Sequence, residues 1–307
     1  MTGPAQTLRR SCLGTKEDRD LEAAVILLVL LAAVLHASWN ALVKAGGDKL
    51  VMQTLVISVN GFLAMPLLFF LPLPAPESWP YLAVSAVIHF LYYAGVIGGY
   101  RHGDLSQVYP IARGSAPALV ALGAWVLAGE TLSPLELLGV FTVSLGIVSL
   151  TGLPAVLRKG ESLAGEARAI VIALLTGLCI ASYTLADGLG VRHAGNALSY
   201  ILWLYALEAV PLTAFTLWRR RGRIVESFRP HLVTGSIGSL LAGLAYGIVI
   251  WAMSVSPMAH VVALRETSVL VAAIIGSRLL SEPFGRRRIA AAAVIAVGAV
   301  LLEAGGL

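Results

Sequence analysis

Apolar residues in this chain come in blocks of about twenty, the length a helix needs to cross roughly 30 Å of hydrocarbon. In blocks such as Ala23 to Leu35 and Ile289 to Leu302 the apolar character runs round every face. That excludes a membrane β-barrel, whose strands are short and alternate. Pro, Gly and charged residues punctuate the blocks and predict ten helices, at about 22-46, 49-71, 79-101, 105-128, 134-152, 168-190, 196-218, 231-254, 258-280 and 287-304. The longest connections contain Leu71 to Pro80, Leu153 to Glu166 and Arg219 to Pro230, and none could hold a soluble domain. The fold class expected is an all-α membrane protein.

Composition agrees. The 307 residues are 58% hydrophobic and 13% charged, with a mean hydropathy of +0.84, against about 25% charged residues in soluble domains. A formal charge of +5 would suit nucleic acid, but the basic residues sit between apolar blocks, where phospholipid headgroups explain them. The expected partners are a lipid bilayer and a small-molecule solute, with no nucleic acid. Nothing in the sequence chooses between monomer and homodimer. Cys12 and Cys179 lie too far apart for a disulfide framework or a metal cluster, and no cofactor is expected. Residues 1-21 are polar, with Arg9, Arg10, Lys16 and Arg19 beside Glu17, Asp18 and Asp20. They read as a disordered tail before a retained helix, because the apolar run that follows is longer than a signal-peptide core.

The chain also resembles itself. Sliding it by 152 residues sets Arg113 on Arg265, Glu130 on Glu282, Gly146 on Gly298 and Gly95 on Gly247; a shift of 144 sets Ser38 and Trp39 on Ser182 and Tyr183. The expected organisation is one five-helix repeat at 22-152, a linker at 153-167 and a second repeat at 168-307. Five is odd, so the second repeat must enter the membrane inverted. Inverted repeats commonly hold a solute near the midplane and expose it alternately to the two sides.

The runs HASWNALVKAGGD at 36-48, YPIARGSAPALVALGAWVLAGETLSPLELLGVFTVSLGIV at 109-148 and LRETSVLVAAIIGSRLLSEPFGRRRIAAAAVIAVGAVLL at 264-302 resemble the EamA branch of the drug/metabolite transporter superfamily. The resemblance covers essentially everything after the tail. It implies a basket of ten helices whose cavity is lined by helices 1, 3, 4, 6, 8 and 9, with helices 5 and 10 peripheral.

Charge sets the expected orientation. The side of the termini carries Arg9, Arg10, Lys16, Arg19 and Arg192. The opposite side carries 13 of the 22 Lys and Arg residues, in loops such as Arg219 to Arg223 and Arg286 to Arg288. The positive-inside rule puts the basic loops 5-6, 7-8 and 9-10 in the cytoplasm of a multi-pass plasma or inner-membrane protein. The Ala, Gly and Arg-rich composition suggests a bacterial source.

Ionisable side chains deep in a spanning helix cost at least roughly 2.5 to 3.5 kcal/mol and often mark a solute path. Arg113 lies about 12 Å into the fourth helix at 1.5 Å per residue, and Arg265 holds the matching place in the ninth. Two guanidiniums converging from related helices would grip a carboxylate or phosphate bidentately; the alternative is internal pairing, with Glu208 or Glu266. Tyr109 shares the face of Arg113 as an aromatic partner. In helix 1, His36, Asn40 and Lys44 recur every fourth residue beside Trp39, a stripe that would line a cavity, apart from Lys44, which would snorkel outward. His89 and Tyr93 in helix 3, Tyr183 in helix 6 and Tyr246 in helix 8 would form aromatic walls. Glu266, His36 and Asp187 are candidates for proton coupling. Gly95 with Gly99 and Gly243 with Gly247 suit close helix packing, and Glu130 and Glu282, at helix ends, are expected to make capping contacts.

These features favour a transporter, an exporter of a small polar or anionic metabolite such as an amino acid. A multidrug or cation efflux pump would use Glu266 or Asp187 in an aromatic cage, and a membrane scaffold subunit would pair every buried charge internally. No HExxH, GxSxG or paired Cys supports an enzyme.

Overall fold

The computed structural model describes residues 16–99, 105–149, 163–279 and 286–306, and these are helical with short connections. We label the helices α1 (Lys16–Ala45), α2 (Lys49–Leu67), α3 (Trp79–Gly99), α4 (Leu105–Ala128), α5 (Pro134–Ser149), α6 (Leu163–His193), α7 (Ala197–Arg219), α8 (Leu232–Val255), α9 (Met258–Arg265), α10 (Ser268–Leu279) and α11 (Arg286–Gly306); a short helical turn, Ile224–Phe228, precedes α8. Among the described residues six spans are long and apolar enough to cross a membrane, within α1, α2, α4, α6, α7 and α8. Their outward faces are apolar too: Leu27, Phe69, Trp125, Leu175, Val210 and Val233 are exposed, which in lipid has no cost.

Local chemistry starts several helices where the punctuation predicts. Asp48 caps α2 by accepting the Val51 N–H at 3.2 Å, and Asn196 caps α7 through the Ser199 N–H at 2.9 Å. At α5 the sequence Ser133-Pro134-Leu135-Glu136 forms a capping box: the Glu136 carboxylate accepts the Ser133 N–H at 2.7 Å, and the Ser133 hydroxyl accepts the Glu136 N–H at 3.2 Å. Gly129, at φ 66°, and Gly195, at φ 72°, turn the chain out of α4 and α6. Lys49 closes the other end of the first connection, donating to the carbonyls of Val43, Lys44 and Gly46 at the end of α1.

Three boundaries differ from expectation. α1 begins at Lys16 and α6 at Leu163, because charged residues continue a helix past the apolar block. The tail itself, up to residue 15, lies outside the described residues. The expected ninth helix is two: α9 stops at Arg265 and α10 restarts at Ser268. At the break the Glu266 N–H is shared between the carbonyls of Val262 and Ala263, and the Thr267 hydroxyl donates to the Leu264 carbonyl at 2.7 Å, so the last turn tightens and ends without Pro or Gly.

The main packing partners are α5 with α11, α4 with α6, α2 with α7 and α1 with α8, followed by α3 with α6, α4 with α5, α2 with α8, and α1 with α9 and α10. Gly139, Gly146 and Gly298 bring α5 and α11 into backbone contact. A central apolar core joins α1, α4, α6, α7, α8 and α9, with Val29, Val120, Tyr200, Leu204, Ile250 and Val262 among its fully buried members.

Candidate functional site

Two buried polar centres meet inside this core. The first contains both arginines. Arg113 on α4 and Arg265 at the end of α9 are 4% and 3% exposed, so neither reaches toward headgroups. Both approach one carboxylate: Glu266 lies 3.1 Å from Arg113 Nε and 3.2 Å from an Arg265 guanidinium nitrogen, and is itself 0% exposed. The break between α9 and α10 lets this work, since it turns consecutive residues toward the same point. It also presents the C-terminal dipole of α9 to the Arg265 cation.

His36 on α1 lies within electrostatic reach of both arginines. Its ring meets Trp39 edge-on at 5.3 Å, and its carbonyl accepts the Asn40 side-chain amide at 2.8 Å. The proton relay expected of His36 with Glu266 has no hydrogen bond behind it among the described residues, because Glu266 is turned to the guanidiniums. Lys44 is exposed, while His36, Trp39 and Asn40 are half-buried. The side chain of Tyr109 lies outside the described residues, as do Glu282 and the packing around Gly95 and Gly99.

The second centre joins α3, α6, α7 and α8. His89 stacks on Tyr183 with ring centroids 3.9 Å apart, and lies 5.8 Å from Tyr93 and 5.7 Å from Tyr246. Its Nδ1 sits 3.0 Å from Glu208 Oε1, 3.1 Å from the Ser85 carbonyl and 3.1 Å from the Ser85 hydroxyl. The Ser85 carbonyl can only accept, so a proton on Nδ1 serves that bond, with Glu208 at ion-pair distance from the same nitrogen. Asp187 is 0% exposed and accepts the hydroxyls of Tyr200 at 3.1 Å and Tyr246 at 2.5 Å. Tyr183 links the centres: it stacks on His89 and lies within electrostatic reach of Arg113, Arg265, Glu266 and Asp187. The structure thus brings together Arg113, Arg265, Glu266 and His36 around one point, and His89, Tyr93, Tyr183, Tyr246 and Asp187 around the neighbouring one.

Glu208 was legible only as a partner for an arginine. The structure pairs it with His89 instead. An acid alone in the run LSYILWLYALEAV signals burial at cost, but not which helix it faces. Two further clusters lie away from both centres. His260 on α9 contacts Glu303 at 2.8 Å and lies 3.9 Å from Glu136, tying α5, α9 and α11 together. Glu130 accepts the Met258 N–H at 2.9 Å and pairs with Arg192 at 2.6 Å, giving the capping contact expected of it. Among the described residues, no group of three His, Cys, Asp or Glu side chains could hold a metal ion.

Comparison with known proteins accords with this architecture. A solved crystal structure of a protein 18% identical in sequence superposes with a TM-score of 0.68, covering 91% of this chain and 98% of its own, so the two share a fold. No curated protein matches the chain. The family model described as the EamA-like transporter family matches twice, over residues 23–152 and again over 167–303. With both halves matched, this chain belongs to the EamA-like transporter family and is a multi-pass membrane transporter.

Proposed function

We propose that the chain carries a small polar or anionic metabolite, such as an amino acid or another organic anion, across the membrane by alternating access between two inverted five-helix halves. The observation that carries the reading is the convergence of Arg113 and Arg265, one from each half, on the single carboxylate of Glu266. Two guanidiniums facing one acid leave a formal positive charge, and a solute carboxylate or phosphate would answer it with charge-assisted, bidentate bonds. His36 and Asn40 would line the same point from α1, and Tyr183 would form the wall between this centre and the acidic one.

Helix pairing supports the inverted halves. Exchanging α1 to α5 with their counterparts turns the α1 and α8 contact into that of α6 and α3, and the α4 and α6 contact into that of α9 and α10 with α1. The α2 and α7 pair and the α5 and α11 pair map onto themselves. The match of one family model to both halves points the same way.

A second reading, efflux of cations, draws on Asp187 and Glu208 among the rings of His89, Tyr93, Tyr183 and Tyr246. A thermal-shift screen of the purified protein in detergent, against amino acids, organic phosphates, phosphonates and cationic dyes, separates the two. Stabilisation by anionic solutes, lost when Arg113 or Arg265 is replaced by Gln in a protein that still folds, supports the proposal. Stabilisation by cations alone overturns it, and an Arg113→Gln protein that keeps its solute affinity assigns the arginines to internal bracing. The expected loss is about 1.5–3 kcal/mol of binding, the worth of a hydrogen bond to a charged group, or roughly ten- to a hundredfold in affinity.

A further inference from the structure

We infer that Glu208 and His89 form a proton site that fills as the solute's acid group binds, so that a proton is taken up with the solute; this rests on the anion reading of the arginine centre. Glu208 on α7 and Asp187 on α6 are 7% and 0% exposed, and among the described residues the one basic side chain within ion-pair distance of either is His89. The partners of Asp187 are neutral hydroxyls, from Ser85, Tyr200 and Tyr246. This layer is therefore already rich in acid, and among the described residues no trio of His, Cys, Asp or Glu within it could hold a metal. An anion arriving at Arg113 and Arg265 adds negative charge within electrostatic reach of Tyr183, whose ring stacks on His89 at 3.9 Å, and Arg265 also acts on His89 itself. A charge at this depth is costly, and the counter-charge that needs neither a cavity nor a fixed ligand set is a proton.

The surroundings of the pair bear on its response to pH. From α3, Tyr93 bonds to Glu208. From α6, Asp187 acts on Glu208, and from α8 Tyr246 reaches Asp187. On its own helix Tyr200 and Tyr205 lie within electrostatic reach. α2 faces α7 with Thr54 and Ser58, which do not ionise in this range. A fixed cation, Arg265 of the other centre, acts on His89. Binding an anion offsets the arginine charge felt at His89, which favours a bound proton, and linkage then requires that a bound proton favours the anion.

The test is isothermal titration of the full-length protein in detergent with L-glutamate and 3-phosphoglycerate, between about pH 6 and 9, in two buffers of different ionisation enthalpy. For the probe that binds, the wild type is expected to take up protons, up to one for each solute, and to lose affinity toward tenfold for each pH unit as pH rises. Glu208→Gln, a neutral mimic of the protonated acid, is expected to bind at every pH about as tightly as the wild type does at the acid end, with no proton exchanged. A structural role alone would instead weaken binding across the whole range. His89→Gln provides the second variant: it leaves the arginine centre intact and is expected to flatten the pH dependence as well. Proton release, pH-independent binding by the wild type, or an unaltered pH slope in a folded Glu208→Gln protein each overturns the proton site while leaving the solute reading standing. Failure of the wild type to bind either probe overturns the anion reading, and this inference with it.

Discussion

Glu266 is the residue on which the arginine centre depends. It is fully buried, and both guanidiniums reach it at hydrogen-bonding distance. Removing one partner of a buried ion pair strands the other, at about 3–5 kcal/mol. Glu266→Gln takes the shared carboxylate away from both guanidiniums, whereas Arg113→Gln leaves Glu266 still paired with Arg265. Thermal unfolding in detergent should therefore show a markedly larger loss of stability for Glu266→Gln than for Arg113→Gln, with the reverse order for loss of solute binding. Equal destabilisation by the two would mean that the charges do not share one partner. Both arginines were legible in the sequence, because a guanidinium within an apolar helix stands out whatever it faces. Glu208 was half legible: its depth follows from the run around it, but its partner His89 is on another helix, and nothing along one chain encodes which two faces meet.

At the scale of helices, the peripheral pair α5 and α11 is held by close approach. A Cβ on Gly298 would stand 2.7 Å from the Val143 nitrogen and 2.9 Å from the Gly139 carbonyl oxygen, and one on Gly139 would stand 2.7 Å from the Leu302 nitrogen. These neighbours are backbone and cannot swing aside, so Gly298→Ala must separate the helices. Overpacking of this kind costs about 1–3 kcal/mol. The expectation is a lower unfolding temperature with solute affinity unchanged, since neither helix contributes to the two polar centres; loss of affinity at unchanged stability would place α11 in the solute path. Helix existence was readable here because about twenty apolar residues in lipid permit little else. The break between α9 and α10 was not, since ALRETSVL contains no Pro or Gly, and its tightened turn depends on Glu266 being drawn to Arg113 from α4.

For the molecule as a whole, the contacts between helix ends suggest which motion transport requires. At one end Asp48 before α2 pairs with Arg220 after α7. At the other, Glu130, just past α4, accepts the first N–H of α9 at Met258 and pairs with Arg192 of α6, while Arg192 donates to the carbonyls of Met253 and Ser256 at the end of α8, each at 2.8 Å. One acid and one arginine thus tie together the ends of four helices drawn from both proposed halves, and alternating access must loosen that tie whenever this end opens. Glu130→Gln keeps the shape and removes the charge, so it should favour the open arrangement. With Cys12 and Cys179 replaced by Ser, a cysteine at Val249, buried on α8 one turn inside Met253, should react with a membrane-impermeant maleimide several-fold faster in the Glu130→Gln background than with Glu130 intact. A cysteine at Ser227, in the basic connection before α8, should report the opposite face: labelled in inverted vesicles and protected in intact cells under the positive-inside assignment. If Val249→Cys labels equally with and without Glu130, the clasp is a static cap and the gate at this end lies elsewhere. If its labelling rises while Ser227→Cys keeps its sidedness, the topology is unchanged and the clasp is a gate at this end, the movement a carrier needs here.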